Sequence, residues 1–312
     1  MVKKINTLVI GAGQAGLAAS EHLSNHNIDH LILEKDRIVE RWRTSRWDSL
    51  VANGPAWHDR FPTLEFSESN QDSFVSKERV VEYFEEFAKK INAPVIENIN
   101  VIEVTNDSKN NFFIKTSDGE YEAINVIVAT GAFQVPVIPN IIPDHPHLEQ
   151  LHSQFYKNPE QLKKGAVLVV GSGSSGSQIA EELNRANKEV YFSIGPHDRP
   201  PRRYRGKDNV WWLGVLGKWE AKTPKPGTQH VTIAVSGYDG GKTIDFRKFA
   251  HSGITLLGMT KKYENGKLYF EDDLKTNIEN GDRNYLDLLN EADEYIKKNN
   301  LSFPEEPEAR NI

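Results

Sequence analysis

Cysteine is absent from all 312 residues. A redox-active thiol pair of the kind that disulfide reductases use to relay electrons cannot be built, and neither can a thiolate zinc site or a structural disulfide. No metal site of another kind is expected. Long apolar runs are missing too: nothing approaches the ~18 consecutive apolar residues of a membrane span. The stretch after Lys3 and Lys4 is too short for a signal peptide, so the chain reads as cytoplasmic. An excess of positive charge is likewise lacking. A net charge of −6 and a pI near 6.0 offer no basic footprint for nucleic acid or a lipid surface. No Ser/His/Asp arrangement or carboxylate pair stands out as catalytic machinery. The length suits roughly two domains of ~150 residues, each able to bury a core.

What is present is concentrated first in Thr7 to Glu34, TLVIGAGQAGLAASEHLSNHNIDHLILE. The run to Ile10 predicts a buried parallel strand. Gly11, Gly13 and Gly16 follow with G-x-G-x-x-G spacing, and Gln14 and Ala15 open a helix of small apolar residues. Such a turn lets backbone approach a pyrophosphate and sets free helix N–H groups against it; its other use is close packing of helix on strand. Glu34, with Lys35 beside it, closes a second strand where a carboxylate accepts from a ribose 2′-hydroxyl.

The loop after Glu34 is rich in Arg and Trp. Arg41, Trp42, Arg43, Arg46 and Trp47 suit either a flat aromatic cofactor with phosphates or a surface of cation–π pairs. Asn53-Gly54-Pro55 marks a turn. Ser76 to Ile91 predicts an amphipathic scaffold helix capped by Ser76, with Val80, Tyr83, Phe84 and Phe87 on one face. Alternating strands are expected over Val95–Val104, Asn111–Thr116 and Glu120–Glu122, with a turn at Ser117-Asp118-Gly119, forming an antiparallel meander inserted in the first domain. Ala123 to Gly131 reads as a further buried strand ending in Ala129-Thr130-Gly131, and Pro136, Pro139, Pro143 and Pro146 mark a crossing between domains.

Lys164 to Ser193 repeats the opening theme. A strand over Val167–Val170 leads into Gly171, Gly173 and Gly176, with Ser174 and Ser175 opening the helix. Ser193 takes the slot that Glu34 fills in the first unit. Without an acid there, and with Arg199, Arg202, Arg203 and Arg205 downstream, the unit suits a 2′-phosphate, hence NADPH; a basic surface turn is the plainer alternative. Trp211, Trp212 and Trp219 belong to core, to a lid, or to a contact between copies in a homodimer. Strands are expected over His230–Ser236 and Thr255–Leu257, a helix over Asp287–Asn299, and an acidic linker at the end of the chain.

Taken together, these motifs resemble the flavin-containing monooxygenases over nearly the whole chain. GAGQAGLAAS with Glu34 is similar to the family's FAD unit, Arg41-Trp42-Arg43 to the segment that follows it, and Ala52-Asn53-Gly54-Pro55 to its Asn-bearing turn. ATGAFQVPVIP resembles its ATG strand, His152-Ser153 with Tyr156 its linker, and GSGSSGSQIAEEL its NADPH unit. The resemblance implies an α/β fold of two Rossmann-like domains: FAD-binding over 1–158, NADPH-binding over 159–300, and a linker or returning segment over 301–312. It implies that FAD is held by Gly11, Gly13, Gln14, Ala15, Gly16, Glu34, Lys35, Trp42, Arg43, Thr130 and Gly131. NADPH would be held by Gly171, Gly173, Ser174, Ser175, Gly176, Ser193, Arg202 and Arg203, with Asn53 beside the flavin. The implied activity passes through a C4a-(hydro)peroxyflavin made with O2 and oxygenates a small N-, S- or ketone-bearing substrate. The alternatives are an NADPH:acceptor oxidoreductase without oxygen insertion and a non-catalytic nucleotide-binding fragment. Two features depart from the family. Pro146 and Leu148 stand where its linker carries Phe and Gly, which weakens Baeyer–Villiger chemistry more than N- or S-oxygenation. The usual C-terminal return to the FAD domain is not recognised, so an incomplete FAD domain is expected.

Overall fold

A computed structural model describes residues 2–106, 111–143, 145–222, 225, 228 and 231–312. The first strand, β1 (Lys3–Ile10), feeds through the glycine turn into α1 (Gln14–Asn25) and then β2 (His30–Leu33). After α2 (Glu40–Thr44) and a long loop come α3 (Lys77–Lys90), β3 (Val95–Ile96), β4 (Val101–Asn106), β5 (Phe112–Thr116) and β6 (Gly119–Val128). The second unit has β7 (Val167–Val170), α4 (Ser174–Arg185) and β8 (Val190–Ser193). It continues through β9 (His197–Asp198), β10 (Arg203–Tyr204), β11 (Lys207–Asp208), α5 (Asn209–Val215), β12 (Thr232–Ile233), α6 (Phe246–His251) and β13 (Thr255–Leu257). A hairpin of β14 (Thr260–Glu264) and β15 (Lys267–Phe270) leads into α7 (Leu274–Lys298).

The six-stranded sheet has the order β3-β2-β1-β6-β5-β4, parallel from β3 to β6 and antiparallel beyond. The chain leaves β1 for β2 on one side, whereas β6 pairs on the other. The gap above β1 and β6 is therefore a topological switch point, where open α/β sheets bind ligands outside the carboxyl ends of their strands. Register aligns those ends, with Ile10 opposite both Leu33 and Val128. The second unit is a smaller parallel sheet, β13-β8-β7, aligned by Val170 opposite Ser193 and Ser193 opposite Leu257.

Three sequence expectations change. The antiparallel strands are not a separate insertion, because Gly119 to Val128 is one strand that pairs with β5 at its start and with β1 along its length. No Gly or Pro interrupts Glu120–Val128, so the alternation runs on unbroken. Val95–Ile96 is a parallel edge strand beside β2, distinct from β4. The last helix starts at Leu274, well before Asp287, and contains the Gly281-Asp282 pair. Gly281 is tolerated inside it because the His197 ring lies against it: a Cβ there would stand 2.6 Å from His197 Nε2. Expected strand residue His230 lies outside the described residues.

The long loop between α2 and α3 is shaped by aromatic packing. Phe61 stacks on Phe87 at 3.7 Å and Phe66 on Tyr83 at 3.9 Å. The Tyr83 hydroxyl accepts from Phe61 N and donates to Leu64 O, both at 2.6 Å. Ser76 caps α3 by accepting from Arg79 N, a contribution of about 1 kcal/mol. The terminal segment, expected to be a linker, folds back on α7: Tyr285 donates to Ala309 O and Arg310 pairs with Asp293.

Candidate functional site

The first glycine turn is assembled from three directions. Gly11 has φ +104° and lies so close to the Ala129-Thr130 backbone that a Cβ would stand 2.6 Å from Ala129 O. A Cβ on Gly16 would collide with the Gly11 carbonyl oxygen. Gly13 faces open space, and α1 begins without a side-chain cap, so its leading N–H groups have no side-chain partner. Glu34 accepts from Ala12 N through Oε2 at 2.7 Å and from Asp36 N through Oε1 at 3.0 Å. A carboxylate offers about four acceptor sites, so a half-buried Glu34 retains capacity for ribose hydroxyls. Together these features fit a dinucleotide lying across the ends of β1, β2 and β6, and Thr130 and Gly131 are exposed at the same ends. Gln14 and Ala15 open α1, and Lys35 is exposed beside Glu34.

Around this turn, Trp42 packs against the apolar cores of both units. The Arg46 guanidinium stands 5.6 Å from the centre of its ring. Burial and then the nearby Arg41 lower the Arg46 pKa. Neither Arg41 nor Arg46 has a carboxylate partner among the described residues, whereas Arg43 is paired with Glu85. The unpaired cations are thus Arg41 and Arg46, not Arg43.

The second turn repeats the backbone, with Gly171 at φ +101° and α4 uncapped by any side chain. Its mouth is narrower. A Cβ on Gly173 would stand 3.2 Å from Thr232, and Ser174 Oγ donates to Ile233 O at 2.9 Å and accepts from Val235 N at 3.2 Å. Ser175 is exposed at the start of the helix. Two of the expected 2′-phosphate ligands are engaged elsewhere. Ser193 is buried, donating to Gly258 O at 2.9 Å and accepting from Thr260 N at 3.0 Å, because β13 and the start of β14 cover the end of β8. Arg202 is only 2% exposed and makes a two-pronged pair with Asp208, at 2.9 Å from Nε and 2.5 Å from Nη2. Its remaining donor, Nη1, reaches the Asn53 carbonyl oxygen at 2.7 Å. Arg203 remains exposed, donating to Gly240 O.

Asn53 therefore sits where the units meet. Its main-chain oxygen is held by Arg202 and its side-chain Oδ1 accepts from Gln178 Nε2 of α4 at 2.9 Å. Gln178 is the residue that sequence reading missed. Its signal was a polar side chain on the inner face of α4, among the buried Ile179, Ala180 and Leu183. Nearby, Glu182 of the same helix accepts from Ser49 at 2.6 Å and from Tyr156 at 2.7 Å. Burial, then that bond, pushes the Tyr156 hydroxyl up, so it stays a proton donor. Of the tryptophans, Trp212 is core, Trp211 packs beside Phe303, and Trp219 is exposed and stacks on His58 of the first unit. No helix among the described residues is long and apolar enough to cross a membrane.

A family profile described as pyridine nucleotide-disulphide oxidoreductase matches residues 8–206. The uncharacterized oxidoreductase CzcO-like of Geobacillus kaustophilus is 39% identical over 216 residues, covering 68% of this chain and 61% of that protein. The probable indole-3-pyruvate monooxygenase YUCCA1 of Arabidopsis thaliana is 36% identical over 193 residues, 60% of this chain and 46% of its own. Among solved structures, a flavin monooxygenase from Stenotrophomonas maltophilia superposes with a TM-score of 0.61 at 22% identity, covering 87% of this chain and 77% of that one. The chain spans about three-fifths of the length of the first of these relatives.

Proposed function

The chain belongs to the pyridine nucleotide-disulphide oxidoreductase family, and from that premise we propose that it is an FAD- and NADPH-dependent monooxygenase acting with O2 on a small nitrogen-, sulfur- or ketone-bearing molecule. The observation that supports the reading is the pair of bonds at Asn53: it stands on the loop of the first unit and is bonded to the second, through Gln178 of α4 and through Arg202. The lack of cysteine argues against the thiol relay of the family's disulfide-reducing members. Relatives whose names denote monooxygenases, including a senecionine N-oxygenase of Tyria jacobaeae, support oxygen transfer.

When bound, FAD supplies hydride acceptance from NADPH and activation of O2 for transfer of one oxygen atom. The chain's own residues do the rest. The α1 N-terminus, with its unpaired N–H groups and positive dipole end, takes the first pyrophosphate, and Glu34 accepts from the adjoining ribose. Arg41 and Arg46 supply positive charge beside Trp42. The α4 N-terminus takes the second pyrophosphate, and Arg203 is the exposed guanidinium available to a 2′-phosphate. Asn53, its Oδ1 taken by Gln178, would offer its side-chain N–H groups as donors toward the ring system.

The test is product analysis. Oxygenated product formed in step with NADPH oxidation supports the reading; NADPH oxidation with electrons passing to an artificial acceptor and no oxygenated product overturns it. Asn53→Ala is expected to leave flavin reduction nearly unchanged while NADPH-derived electrons appear as H2O2. Equal slowing of reduction would show that Asn53 only places the cofactors.

A further inference from the structure

The hydrogen bonds around Asn53 determine which way its amide faces. Val235 O is a main-chain carbonyl and can only accept. The Gln178 group 2.9 Å from it is therefore the NH2 end, and Val235 takes one of its two hydrogens. The second hydrogen goes to Asn53 at 2.9 Å, so the Asn53 atom receiving it is the oxygen. A fixed carbonyl thus sets the orientation of one amide, and that amide sets the next. Gln178 is 6% exposed, and both its donor hydrogens are used. Asn53 is exposed, and the whole donor end of its side chain is left over.

The main chain at this point is held just as firmly. Arg202 Nη1 donates to Asn53 O, while its Nε and Nη2 are locked on Asp208. Asp208 in turn caps α5 by accepting from Val210 N at 3.0 Å. A buried guanidinium bonded through each of its three nitrogens is a poor phosphate ligand but a rigid anchor.

We propose that Gln178 is a positioning residue: from the helix of the second nucleotide unit it turns the Asn53 oxygen inward and presents the Asn53 N–H pair as the donor to whatever occupies the crevice, with Arg202 fixing the backbone beneath. This rests on the reading that Asn53 faces the flavin. It adds that the orientation of Asn53 is dictated by α4, so the element that holds NADPH also aims the donor that acts at the flavin. A carboxylate at position 178 would reverse the pattern, drawing the Asn53 N–H pair inward and leaving the oxygen outward.

Two measurements test this in the full 312-residue protein. The first needs no cofactor: the side-chain amide resonance of Asn53, assigned by its loss in Asn53→Ala, is followed for proton exchange with water. Fast exchange is expected in the wild type, slowed about tenfold or more in Gln178→Glu, as a charge-assisted bond takes those protons. Slow exchange in the wild type, or no change in Gln178→Glu, overturns the inference. The second uses FAD-loaded protein and Gln178→Met, which keeps the volume and cannot donate. Its H2O2 yield per NADPH should rise severalfold at an unchanged KM for NADPH, and in an Asn53→Ala background it should rise no further. Leakage in Asn53→Ala but not in Gln178→Met overturns the inference, as does a rise in KM alone. Absence of leakage in Asn53→Ala itself instead overturns the placement of Asn53 at the flavin, a distinguishable result.

Discussion

Arg202 and Arg203 are adjacent in sequence and opposite in circumstance. The first is buried on Asp208, with side-chain exposures of 2% and 5%; the second lies in solvent. Removing one partner of a buried pair leaves the other charge uncompensated, so Arg202→Ala should cost about 3–5 kcal/mol. Urea denaturation of the variant would show it, and a midpoint equal to wild type would contradict the buried pairing. Arg202→Lys should recover little, since an ammonium cannot make the two-pronged contact. Arg203→Ala should shift stability by no more than about 0.5 kcal/mol. If Arg203 serves the 2′-phosphate, its loss raises the KM for NADPH and spares that for NADH. Glu34 has a third kind of role: it closes the glycine turn through Ala12 N, and in the proposed function it also accepts from a ribose. Glu34→Arg should therefore purify without flavin, and full flavin occupancy measured by visible absorbance would remove Glu34 from the site.

Helix α7 illustrates how an element is held by charge. Asp282 bonds to Arg199 at 2.6 Å and to Arg247 at 2.9 Å, and the Arg199 guanidinium also lies 4.8 Å from the centre of the Tyr285 ring. Burial alone would raise the Asp282 carboxyl, but the hydrogen bonds from Arg247 and Arg199 more than offset it and leave it below its ordinary value. A carboxyl depressed in the folded state stabilises fully above its unfolded pKa of about 3.9 and loses that contribution as pH falls through the folded value. Asp282→Asn should thus cost about 3–5 kcal/mol at neutral pH, because Arg199 stays buried without a counter-charge. The gap between variant and wild type should narrow below about pH 4. A gap independent of pH would mean that packing, not charge, is what Asn fails to replace.

At the scale of the molecule, the two nucleotide units are joined by side chains rather than by a shared sheet. Glu182 of α4 holds Ser49 and Tyr156, Gln178 holds Asn53, and Arg202 donates to Asn53 O at 2.7 Å. Hydrogen bonds to a charged group contribute roughly 1.5–3 kcal/mol. Glu182→Ala should lower stability by about that much or more and should weaken the coupling between units. Hydrogen exchange reads this directly: amides of β1 and β7 should open with similar free energies in the wild type and diverge in the variant. Equal values in both proteins would mean that the joint does not depend on Glu182.

Much of this was legible in the residues. The two glycine turns and the strands feeding them were readable because a buried parallel strand needs an apolar run and a tight turn into a helix needs glycine; both are local requirements. The scaffold face of α3 was readable from its 3.6-residue period. The fate of a charged or polar side chain was not, because it depends on which partner the fold brings within hydrogen-bond reach. Ser193 and Arg202 looked like phosphate ligands from their place after β8, yet Gly258 and Thr260, remote in the chain, and Asp208, across the β10–β11 hairpin, engage them first. Gln178 looked like an ordinary helix residue until Asn53, far away in the chain, was placed against it. The sequence alone determined the backbone cradles; only the tertiary structure decided which side chains are anchors and which remain free for a ligand, since a donor or acceptor is spent on whatever lies nearest to it.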